Sequence, residues 1–107
     1  MDISLLPDDV PFGEFGDVVE LGVEDGFLRA VALSDGLIVE MDPEMQRQLG
    51  TAGYQIVGHD NEGFEAEIFF TRGADTVGTI QMREGPCDDQ VILRLSYGAP
   101  RFEKAGS

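Results

Sequence analysis

The chain has 107 residues, 42% apolar and 26% charged, a length that suits one domain and a composition that excludes disorder and collagen-like repeats. Its 21 acids against 7 bases give a net charge of −14, which opposes direct binding to nucleic acid or to an anionic membrane. No run nears the ~20 apolar residues of a membrane span, the start lacks a secretory leader's basic opening, and the lone Cys87 forbids an internal disulfide, so a cytoplasmic setting is the expectation.

Charge is uneven along the chain. Residues 1–50 hold 12 acids and 2 bases, while residues 51–107 hold 9 acids and 5 bases. An acid-rich, Lys-poor composition also suits a high-salt host, independent of any partner.

Residues 1–16 carry Leu5, Leu6, Val10, Phe12 and Phe15 without a steady period, and Pro7 and Pro11 favour extended neighbours. They read as an irregular apolar arm lying on the body. From Val18 to Met41 the pattern predicts three strands (VVELGV, FLRAVAL, LIVEM), separated by Asp25-Gly26 and Asp35-Gly36. Such pairs tolerate positive φ and suit tight hairpins. Asp42 then caps a short helix with Pro43 in its first position, and Met45, Leu49 and Ala52 form its apolar stripe. Gly53 is placed to close it left-handed, with Tyr54 reaching back to Leu49.

Four cleaner strands come next. Tyr54, Ile56 and Gly58 alternate with Gln55, Val57 and His59, and three further runs put Phe64–Phe70, Gly78–Met82 and Val91–Tyr97 on the inner face at every second residue. Residues 100–107 read as a frayed C-terminal tail. The expected fold is α+β: a curled, mostly antiparallel sheet of about seven strands, in the order βββ-α-ββββ, packed on one short helix across residues 17–99.

Motifs for chemistry are weak. His59 and Cys87 are the natural pair for thiol catalysis, but acidic neighbours at Asp88 and Asp89 deactivate a thiol. The loop His59–Gly63 lacks the spacing of a calcium loop, adjacent Asp pairs diverge on an extended chain, and no phosphate-cradling glycine loop occurs. No catalytic residue, metal or cofactor is assigned. Arg83 and Arg94 are read as cross-strand partners of Glu65 and Glu67.

Two features stand above background. One is an acidic face, represented by Asp17, Glu20, Glu24, Asp25, Asp35 and Glu40; the other is an outward apolar trio, Val57, Phe69 and Ile92, which the N-terminal arm is expected to cover. Complementary charge speeds encounter with an oppositely charged partner. The leading expectation is therefore a non-enzymatic protein-binding domain for a basic protein, as in an inhibitor, an immunity protein or a nucleic-acid mimic. Two alternatives compete with it. One is a small-molecule module or small enzyme with a pocket lined by Met45, Tyr54, Met82 and Tyr97. The other is an adaptor subunit that forms a homodimer.

Overall fold

A computed structural model describes residues 1–87 and 89–105; Asp88 and the last two residues of the tail lie outside the described residues. Six strands form one antiparallel sheet: β1 (Asp17–Glu24), β2 (Phe27–Ser34), β3 (Gln55–Asn61), β4 (Glu65–Arg72), β5 (Thr76–Glu84) and β6 (Val91–Gly98). Their order across the sheet is β1-β2-β6-β5-β4-β3, which leaves β1 and β3 as the edges. The main helix α1 (Ile38–Thr51) carries the chain from β2 to the far edge, and a short α2 (Pro100–Ala105) ends it. The fold is α+β, as the alternation implies, with one strand fewer than expected and the order ββ-α-ββββ.

The missing strand is Leu37–Met41. Asp25-Gly26 does make the β1–β2 hairpin, with φ of 54° and 84° as a tight turn of this hand requires. Asp35 and Gly36 do not adopt positive φ. Instead the Gly36 N–H donates to Ser34 Oγ at 3.0 Å, and the chain enters α1 after a three-residue link. The stripe explains why. Ile38, Met41, Met45 and Leu49 fall at i, i+3, i+7 and i+11 and are all buried, so a helix begun at Ile38 buries two more large side chains than one begun at Pro43. That gain offsets the hydrogen bond Pro43 cannot donate to Val39. The C-terminus closes as the sequence indicates. Gly53 has φ 95°, the Tyr54 N–H donates to the Leu49 carbonyl at 3.0 Å and the Gly53 N–H to that of Gly50 at 3.1 Å, the paired bonds of a Schellman ending.

One face of the sheet bears the core. Leu28, Ala30 and Ala32 of β2, Leu93 and Leu95 of β6, Ile80 and Met82 of β5 and Ile68 and Phe70 of β4 are all buried there. α1 covers β3 and β4, and α2 packs on β2. Gly78 is required by close approach, since a Cβ there would come within 2.2 Å of the Phe70 ring.

The arm and the tail complete this layer. Val10, Phe12 and Phe102 are buried, and Leu5, Leu6 and Phe15 pack against the core. Asp9 accepts from the Tyr54 hydroxyl at 2.8 Å and is ion-paired with Arg72, while Arg101 donates to the Leu5 carbonyl at 2.9 Å. The arm therefore lies on the helix side. It does not cross the outer face, because its apolar side chains fill the part of the inner layer that α1 leaves open. The segment read as a frayed tail is helical through Ala105 and contributes Phe102 to the core.

A candidate protein-binding surface

The outer sheet face is built by register. Cross-strand partners share a face, so one row runs Glu20, Val31, Arg94, Gln81, Glu67, Asp60, and the next runs Gly22, Arg29, Ser96, Thr79, Phe69, Gly58. A broad open concavity of about 610 Å³ occupies this face, bordered by Glu20 and Glu24 on one side and Glu67 on the other, with Arg29 and Arg94 between. Among the described residues no helix or arm lines it. The expected partnership of Arg83 and Arg94 with Glu65 and Glu67 is only partly realised. Arg83 stands opposite Glu65, but Glu67 stands opposite Gln81 and accepts from its amide at 3.3 Å. Arg94 is one strand too far, on β6.

The acidic residues singled out from sequence divide by position. Asp17, Glu20 and Glu24 are exposed on edge strand β1, and Asp25 is exposed in the turn beyond it. At the opposite end of the strand, Asp35 joins Glu14, Asp17 and Asp89 in lining an open cleft of about 690 Å³. Glu40 is exposed in the first turn of α1, so these six residues form an edge with two outliers. Among the described residues the ion pairs are Arg47–Glu44, Arg72–Asp9 and His59–Asp42, and none of them involves a carboxylate of β1. Among the described residues the β1 backbone pairs with β2 and with nothing on its other side.

The apolar trio is split. Val57, at 57% exposure, is the bulge residue of β3, and Phe69, at 39%, stands opposite the adjoining Gly58 on β4. Ile92 is half-buried on β6, beside Leu33 of β2. His59 and Cys87 are also separate. Cys87 is exposed in the acid-lined cleft, whereas His59 is held by α1. The residues considered for an interior pocket are core: Met45 and Met82 are fully buried, Tyr54 and Tyr97 nearly so, and the two hydroxyls meet at 3.0 Å.

Sequence reasoning missed the polar pin under the β3 edge. Asp42, only 2% exposed, accepts from His59 Nε2 at 2.7 Å, Asn61 Nδ2 at 2.6 Å and Gln46 Nε2 at 3.0 Å. Strict alternation puts His59 on the outer face. A bulge between Ile56 and Gly58 adds one residue, so that His59 stands opposite Ile68 and turns to the helix side. The glycine at position 58 was the available signal, since a glycine inside a strand often marks a bulge.

A second polar cluster lies at the arm. Burial, then hydrogen bonds with Tyr97 and Asp9, hold the Tyr54 phenol well above its ordinary value. At Asp9 burial works upward, but the hydrogen bonds from Arg72 and Tyr54 and the Arg72 charge outweigh it and keep the carboxyl below the usual range. The Arg72 guanidinium also sits 4.2 Å over the Tyr54 ring. These groups tie arm to body. Among the described residues no group of three or more His, Cys, Asp or Glu is arranged to hold a metal ion, and no helix is long and apolar enough to cross a membrane. No protein-family profile matches the chain, and no curated protein matches its sequence.

Proposed function

We propose that this protein is a non-enzymatic binding domain that docks on a basic protein through the β1 side of its sheet. One observation carries the reading: Asp17, Glu20 and Glu24 stand exposed on an edge strand, with no cation among the described residues within ion-pair distance. Asp25 extends the row into the turn. Unpaired surface carboxylates are well solvated and cost the fold little, but together they steer and orient a cationic partner. An inhibitor, an immunity protein or a nucleic-acid mimic would each use such an edge, its carboxylates standing in for phosphates.

Fluorescence anisotropy with a labelled lysine- and arginine-rich peptide tests the reading. The affinity should fall at least about tenfold between roughly 50 and 500 mM salt, as the screening length shortens. Binding indifferent to salt contradicts it. A second reading, a homodimer through the other edge, draws on the exposed neighbours Val57 and Phe69. Sedimentation at micromolar concentration decides it, and a single monomeric species rules it out.

A further inference from the structure

The acidic row lies on a strand whose outer backbone edge is unpaired among the described residues, and the two facts together specify how a partner engages. We infer that β1 accepts an extended segment of the partner as an added strand, a segment that alternates basic and apolar residues. This rests on the docking reading above and refines it.

Three features of the edge converge. First, the bulge in β1 falls between Val18 and Glu20, and from Glu20 to Glu24 the pairing with β2 is regular. A bulge blunts an edge against pairing, but along Glu20–Glu24 the alternate residues Leu21 and Val23 turn their N–H and C=O groups away from β2 in this register, and these are free, among the described residues, for a new ladder. Second, the two sides of that stretch differ. Glu20 and Glu24 point to the outer face, and Leu21 and Val23 are half-buried at the rim of the core. On an added strand, residues opposite the glutamates lie about 4.5–5.5 Å away, within reach of a lysine or arginine, and alternate residues extend the apolar layer. Gly22 sits between the glutamates, and the space above it is open, so a bulky side chain fits opposite it.

Third, the edge refuses its own copy. A second chain pairing antiparallel through β1 would set glutamates and Asp17 against their own kind, and like charges across a strand pair are destabilising. The edge rejects itself and admits a cationic strand. That is the selectivity an edge needs in order to bind a partner without aggregating.

The test uses the whole chain and two eight-residue peptides of one composition. One alternates arginine with valine and carries a proline only at its end; its isomer has the proline in the middle, where it breaks a strand. The first peptide should bind at least about tenfold more tightly and should slow hydrogen exchange at the β1 amides that point away from β2. If both peptides bind equally, in a salt-sensitive way and without protecting β1 amides, strand addition is overturned while charge-driven docking stands. If neither binds at low salt, both readings fall.

Discussion

The two edges of this sheet are managed in opposite ways. At β3 the edge strand is bulged at Val57, packed on its inner face by α1 and pinned from beneath by Asp42 through His59 and Asn61. At β1 the regular stretch Glu20–Glu24 carries exposed carboxylates that have no ion-pair partner among the described residues. The β3 edge uses buried polar contacts to fix the helix; the β1 edge carries its charge outward, and among the described residues its carboxylates make no ion pair. An edge held in place by the fold and an edge left available to a partner are thus distinguished by where their polar groups point.

Substitutions should break this contrast in a definite order. The largest effect is expected beneath the β3 side, where Leu49→Ala empties a fully buried site and should cost about 2–5 kcal/mol in urea unfolding. The matching change Leu21→Ala, at half-buried β1, should cost about 1 kcal/mol. Equal losses would mean that β1 is as deeply integrated as the helix.

Asp42→Ala comes next. It strands the donors of Asn61 and Gln46, and with His59 partly open to water the cost should be about 2 kcal/mol. Hydrogen exchange should quicken along β3 while β1 is unchanged. Uniform quickening would show that the pin supports the whole sheet and not one edge.

The arm cluster adds a pH signature. The Tyr54 phenol titrates above its ordinary value of 10.0 in the fold, so its contribution is complete below pH 10 and is lost as pH rises beyond it. Asp9 titrates below the ordinary 3.8; its contribution is present above that value and is lost as pH falls through the lowered one. Tyr54→Phe should flatten the alkaline limb of a stability–pH curve, and an unchanged limb would remove Tyr54 from the account. The smallest effects on stability belong to β1. Glu20→Gln and Glu24→Gln should each shift stability by less than about 0.5 kcal/mol, since among the described residues neither carboxylate has an ion-pair partner to lose.

Much of the fold was legible in the sequence because its signals were local. The β1–β2 hairpin came from Asp25-Gly26, the inner faces of β4, β5 and β6 from strict alternation, and the end of α1 from Gly53. The hidden features depended on distant contacts. Asp35-Gly36 carries the same dipeptide as a true hairpin, yet the burial of Ile38 and Met41 turns the residues after it into helix. His59 changed face because of one added residue at Val57. Phe102 lies in the segment that reads as a frayed tail, and only its packing beside β2 and the Tyr97 ring shows why it is buried. Of the candidate surface, the acids of β1 were visible as composition. The backbone beside them, unpaired among the described residues, became apparent only from strand order.

The most direct test compares two triple variants with equal charge change, Asp17, Glu20 and Glu24 to Lys on β1 against Asp60, Glu62 and Glu65 to Lys at the β3 side, in binding to the same basic peptide. The β1 variant should lose about tenfold or more in affinity and the other no more than about threefold, because steering by a local edge exceeds the effect of net charge alone. Equal losses in the two variants would contradict the account, leaving overall charge, and no particular edge, as the source of binding.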